Sequence, residues 1–325
     1  LVNMKVIKLK PKRLLSLLLV VCTISSLCFL SSFIVKATSY ISTSQFTYKD
    51  NSWSAVANTY TSTSPSLTLS AIQSNDGNVY FPSFADFKAG VNGTALANGG
   101  SYDGTLALSQ NSKEVFNKAK RIFIGNDYET IPANYLSENT SIEEITIDTE
   151  NDITLSTRCF SSMSALKNVT IKAKSITIQG SVFRNCENLE NITLTGSVTF
   201  TGGSDSGYNF SNCPKLNMVK FNNDVTFKDA NNFTSTTFST ASSANVTFNG
   251  AITNANTVFS ACNLKDLNLN GSGNTLTNSF LENTTITNLN VNAATTFGKK
   301  ALYYSENTRV ITNFNINGAL NEALT

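Results

Sequence analysis

The chain has 325 residues, 14% of them charged, with a formal net charge of +2 and no histidine. An average soluble domain carries roughly 25% charged residues, so Thr, Ser and Asn must cover much of this surface. The missing histidine removes the commonest general base and the commonest transition-metal ligand.

Lys5, Lys8, Lys10, Lys12, Arg13 and Lys36 supply the positive balance. The remainder is mildly acidic and lacks the basic stripe that nucleic acid requires. Met4 to Arg13 is short and basic, Leu14 to Ile34 is apolar, and Val35-Lys36-Ala37 has the small or branched residues of a cleavage site. That layout predicts a secretory signal peptide over residues 1–37. An uncleaved membrane anchor is the alternative, because about twenty apolar residues span a bilayer. Either way the expected location is secreted or cell surface, with the membrane touched only through this segment.

Residues 38–70 are rich in Ser and Thr, nearly uncharged, and hold the only tryptophan, Trp53. They read as a loosely ordered linker. Residues 71–112 carry apolar clusters such as Val79-Tyr80-Phe81, broken by Asp76-Gly77, Asn92-Gly93 and Gly99-Gly100. Short strands or hairpins are expected there, forming an irregular N-terminal cap. Asn111 with Glu114 resembles a capping box that opens a helix through Lys120.

From Ile122 and Ile124 onward the apolar residues fall into rows. Phe183, Cys186, Leu189, Ile192, Leu194, Val198 and Phe200 are matched at identical offsets by Phe210, Cys213, Leu216, Val219, Phe221, Val225 and Phe227. Eight such repeats run from Leu136 to the end, at a period of roughly 21–27 residues. Asp229–Ala244 is the poorest, and the last comprises Tyr303 or Tyr304, Val310, Phe314 and Ile316. This periodicity predicts a solenoid over 113–318 with a short tail at 319–325, in which one turn buries its apolar face only against its neighbours. Ile-x-Leu has strand periodicity, and the spacing of three in Phe-x-x-Cys-x-x-Leu suits a helical or 3₁₀ turn. A second short strand is expected in Ser175–Ile178, Ser197–Phe200 and Asp224–Phe227. Gly125, Thr195-Gly196, Asn249-Gly250, Asn270-Gly271 and Asn317-Gly318 then supply bends after the strand pair.

The row Phe183-Arg184-Asn185-Cys186-Glu187-Asn188-Leu189-Glu190-Asn191-Ile192-Thr193-Leu194 resembles the BspA-type leucine-rich repeat of bacterial surface proteins, over about two thirds of the chain. The resemblance implies a leucine-rich-repeat fold, export, and adhesion to host components or other bacteria.

Four groups of residues invite a chemical reading. Cys186, Cys213 and Cys262 share one place in the row and are expected to be buried thiols. Glu143, Glu144, Asp148 and Asp152 could pair for glycoside hydrolysis, but they fall on outward positions of one coil and read as a solvated face. The loop Gly202-Gly203-Ser204-Asp205-Ser206-Gly207 is a single copy of what a calcium-binding repeat would need several times, and Gly271-Ser272-Gly273 lacks the context of a dinucleotide site. The fourth group is the outward strand column, with Thr170, Lys172, Thr193, Thr195, Lys220, Asn222, Thr247, Asn249, Asn268 and Asn290 as the candidate ligand-binding strip. It has no aromatic row for sugar stacking. The reading is a monomeric, non-catalytic, cofactor-free protein that binds an extracellular protein or glycan. A right-handed β-helix polysaccharide lyase and a passive structural spacer are the alternatives.

Overall fold

The structure is a computed structural model. It describes residues 41–58, 66–72, 75–90, 106–109, 113–202, 209–228, 244–254, 258–260, 262–276, 280–298, 301–302 and 311–322. The signal segment, most of the Gly202–Gly207 loop, Phe233, Phe238, Tyr303, Tyr304 and Val310 lie outside them. Among the described residues no helix is long and apolar enough to cross a membrane.

Two parallel ladders run side by side along the chain. The first stacks Asn78–Tyr80, Arg121–Ile124, Glu144–Asp148, the opening halves of Asn168–Gln179 and Asn191–Gly202, Met218–Phe221, Ala244–Phe248, Asn263–Leu269, Thr285–Val291 and Ile311–Ile316. The second stacks the strand that follows in each coil, from Thr130–Ile131 and Asp152–Leu155 to Thr295–Phe297 and Leu320–Glu322. Each strand pairs only with the coil before and the coil after, so the result is a flattened solenoid. The register follows the sequence rows: Val169, Ile192, Val219, Val246, Leu267 and Leu289 succeed one another. All six are buried, since alternate strand residues face opposite sides.

Inside, equivalent phenylalanines stack from coil to coil. Ring centroids are 4.9 Å apart for Phe200 and Phe227 and 4.8 Å apart for Phe221 and Phe248, with planes within 8°. That matches the interstrand spacing of roughly 4.8 Å, so the backbone ladder sets the ring geometry. Phe314 and Ile316, expected to point inward in the last coil, are 43% and 45% exposed. Among the described residues no strand pairs beyond theirs, and a row residue is covered only by the following coil.

The Phe-x-x-Cys-x-x-Leu segments form isolated turns of the 3₁₀ kind and no helix, except that Phe259–Ser260 pairs with Leu281–Glu282 as a short parallel ladder. Around Cys186 and Cys213 each turn is closed by a single i→i+3 bond, from Leu189 N–H to Cys186 O at 3.0 Å and from Leu216 N–H to Cys213 O at 3.1 Å. A helix would require the intervening N–H groups to bond within the segment. Here they bond across coils, as Asn185 does to Ser211 O at 2.8 Å and Ser162 to Arg184 O at 2.7 Å. The donors Arg158, Ser162 and Asn185 all have left-handed φ values, and Arg158 N–H likewise reaches Gly180 O at 3.1 Å. The helix expected through Lys120 is likewise one turn, Lys113–Phe116.

The Ser/Thr-rich stretch is not a linker throughout. Ile41–Tyr48 and Asn51–Asn58 pair antiparallel, Ser66–Ile72 joins as a third strand, and Ala107–Leu108 adds a parallel fourth. Lys49 and Asp50 both have positive φ, which is the two-residue hairpin turn that follows strand twist. Phe46 and Leu69 pair in register with Trp53, and all three are buried. The Ser and Thr residues between them are compatible with strands because Thr favours a half-buried pleated surface. This sheet and the helix Phe84–Gly90 supply aromatic side chains at the N-terminal end of the stack. Trp53 meets Phe81 edge-on at 5.0 Å, Phe81 meets Tyr128 at 5.7 Å, and Phe46 meets Phe87 at 5.9 Å. An open solenoid end needs such a cover.

Candidate functional site

The ten candidate strip residues do share one face. In the middle column Thr170, Thr193, Lys220, Thr247, Asn268 and Asn290 follow in register. In the turn column Lys172 stands beside Thr195, and Asn222 and Asn249 continue it. All ten are exposed or partly open to solvent, and the residues flanking the middle column are buried.

What the sequence did not reveal is how those side chains use one another. Asn222 donates to Thr195 Oγ1 at 2.8 Å, Asn249 to Asn222 at 3.1 Å, Asn270 to Asn249 at 2.9 Å, Asn292 to Asn270 at 2.8 Å and Asn317 to Asn292 at 2.9 Å. A parallel series runs from Thr247 through Asn268 and Asn290 to Asn315, at 3.1, 2.8 and 2.7 Å. Every amide donates toward the N-terminal coil. Each still has one N–H and one lone pair to offer a ligand, but its orientation is already set.

Toward the N-terminal end the same face is ionic. Glu143 accepts from Lys120 at 3.3 Å and Lys167 at 2.8 Å, Glu144 pairs with Arg121 at 3.2 Å and Asp148 with Lys172 at 3.1 Å. Hydrogen bonds from Lys167 and Lys120 hold the Glu143 carboxyl below its ordinary range. Asp152 accepts from Ser175 Oγ at 2.8 Å. Each carboxylate of the acidic group thus has its own partner. Exposed pairs of this kind contribute little stability and serve mainly to pattern the surface.

The column ends in aromatics, contrary to expectation. Tyr80 pairs with Phe123, and Phe123 with Thr146, which places both rings at the head of the strip. They stack at 4.7 Å with planes 11° apart, and Lys49 Nζ lies 4.8 Å over Tyr80. The signal was available: Val79-Tyr80-Phe81 has the same apolar-x-apolar form as Ile122-Phe123-Ile124. It was hidden because the former sat in the supposed cap, with a long insertion between the two.

The cysteines among the described residues are interior. Cys159, Cys186, Cys213 and Cys262 are buried thiols. Cys186 Sγ donates to Phe160 O and Cys213 Sγ to Phe183 O, each at 3.1 Å. Burial pushes the Cys186 thiol up to about 12 and raises Cys159 and Cys213 well above the ordinary value. They are poor nucleophiles, since the thiolate is the reactive form.

The sequence profile of the BspA type leucine rich repeat region matches residues 112–206 and 206–309, with six copies. No curated protein matches the sequence. Among solved structures, a leucine-rich repeat protein from Eubacterium ventriosum ATCC 27560 is 10% identical, over 87% of this chain and 97% of that one, with a TM-score of 0.16. A score that low carries no argument. The profile covers more than half of the residues and coincides with the coils described above, and on that evidence the chain belongs to the BspA-type leucine-rich-repeat family.

Proposed function

We propose that this chain is an exported, non-catalytic binding protein that presents the outer face of its first ladder to an extracellular protein or glycan. The observation that carries the reading is the in-register face itself. Its outward columns run without a break from Tyr80 and Phe123 to Asn290 and Asn315, with side chains pre-oriented by their neighbours. Pre-organisation lowers the ordering cost of binding. The family, whose members are typically secreted or at the cell surface, supports the same role, and the predicted signal segment is consistent with it. The ionic and aromatic N-terminal half of the face is the recognition region. The amide-rich C-terminal half acts chiefly as a rigid extension.

The test is a binding screen of the purified chain against a glycan array and a panel of extracellular-matrix proteins. Hits are repeated with Lys172→Ala and Lys220→Ala, which change the face without touching the core. A ligand whose affinity falls at least tenfold supports the reading. Binding unaffected by both substitutions, or no binding to any member of either panel, would overturn it. Release of unsaturated sugar product from pectin or alginate would point instead to a lyase.

A further inference from the structure

Gly125 stands at the head of the turn column, at the place that a side chain fills in every later coil, from Asp148 and Lys172 to Asn292 and Asn317. It is unlike the glycines one residue further along the other turns. A Cβ on Gly196 would strike the Ala173 carbonyl oxygen, and one on Gly271 would strike the Gly250 backbone. At Gly125 a Cβ would meet nothing within 4 Å, and φ lies outside the left-handed range. The backbone does not need a glycine there. Its effect is to leave a notch of about 360 Å³, lined by Lys49, Tyr80, Phe123, Thr146 and Asp148 among others. That is within the range of small-ligand pockets, toward the small end.

The lining specifies a chemistry. Tyr80 covers one face of Phe123, while Thr146, next in the column, is too small to cover the other. Lys49 supplies donors and the Asp148 carboxylate supplies acceptors, with a hydroxyl at Thr146 doing either. Asp148 is paired with Lys172 at 3.1 Å, and the Lys49 ammonium lies over the Tyr80 and Tyr48 rings at 4.8 and 5.3 Å. With one cation and one carboxylate in the same lining, the notch favours neither an anion nor a cation. A neutral ring with hydroxyls on its rim and C–H bonds on one face satisfies all of it.

We propose that the notch beside Gly125 binds a neutral pyranose residue of a glycan. The proposal deepens the reading of the strand face as the ligand surface and rests on it. The sugar's C–H face lies on Phe123, and its hydroxyls bond to Asp148, Thr146 and Lys49.

The test uses the full chain and isothermal titration with neutral gluco-, manno-, galacto- and xylo-oligosaccharides, alongside uronic-acid oligosaccharides and the matrix-protein panel. Gly125→Asn copies the residue of the later coils and fills the notch, with the thermal midpoint monitored. Phe123→Leu removes the ring while keeping an apolar side chain. The expected result is binding of at least one neutral oligosaccharide, weakened tenfold or more by both substitutions at an unchanged midpoint. Equal affinity in Gly125→Asn, or tighter binding of uronic-acid chains, overturns the proposal. If no saccharide binds but a matrix protein does, and Lys172→Ala or Lys220→Ala weakens that binding, the notch fails while the surface reading stands. If neither class binds, both fail.

Discussion

The side chain of Asn51 takes the place of a strand above Tyr80. Its Oδ1 accepts from Tyr80 N–H at 2.8 Å, and its Nδ2 donates to Asn78 O at 3.0 Å. One buried amide thereby closes the free edge of the first ladder, where an exposed edge would invite pairing with another chain. The apolar end beside it is covered by Trp53, two residues on.

Removing that amide should therefore loosen the N-terminal end first. Asn51→Ala leaves two partly buried backbone groups unpaired, and since a fully buried one costs roughly 1–3 kcal/mol, a loss of about 1–4 kcal/mol is expected in urea unfolding. Hydrogen exchange should show the Tyr80 amide losing protection before Val219 or Val246 does. Uniform loss along the ladder would contradict a local closure.

Two glycines in superficially similar turns should respond in opposite ways. Gly196 has φ of 124° and abuts the Ala173 carbonyl, so Gly196→Ala combines backbone strain with a clash and should cost about 1–3 kcal/mol or more. Gly125→Ala meets open space and should be neutral or stabilising by up to about 1 kcal/mol, through a less flexible unfolded chain. Thermal unfolding of the pair is the measurement.

The amide ladder has a direction, and a substitution of nearly the same shape can read it. In Asn249→Asp the carboxylate still accepts from Asn270, but it cannot donate to Asn222 Oδ1. Protonation restores a donor, so the folded state raises the pKa of the new acid. The variant is then closest to the parent below the unfolded carboxyl pKa of about 3.9 and falls behind as pH rises through the folded value. At pH 7 a deficit of about 1–2 kcal/mol is expected from one lost bond and the facing acceptors. A deficit independent of pH would argue against the ladder.

Alkaline pH should unfold the chain through its core. Cys159, Cys186 and Cys213 are buried as neutral thiols with raised pKa values, and Tyr128 and Tyr135 are raised by desolvation too. In the unfolded chain a thiol ionises near 8.5. Stability is thus fully present below that pH and declines as pH rises toward the folded values, by about 1.4 kcal/mol per pH unit for each thiol. Denaturant titrations from pH 7 to 11 check this. In parallel, a thiol reagent at pH 8 should modify these three cysteines only after denaturant is added.

The coils, their inward rows and the outward strip were readable in the linear order of residues, because a repeat whose apolar positions recur at one offset can be buried in only one way. Ile192 is an example in which position along the chain already names the neighbours: it lies between Val169 and Val219 wherever the stack forms. The cap was different. Phe46, Trp53 and Leu69 meet through antiparallel pairing that no period announces, and Tyr80 joins Phe123 across an insertion that breaks the count. The same limit applied to the turns, where the choice between a helix and a cross-coil bond depends on whether a neighbouring carbonyl is within reach. Contacts between adjacent repeats are set by periodicity. Contacts across irregular insertions, and the notch that opens at Gly125 where those insertions meet the first coil, are set only when the chain closes in three dimensions.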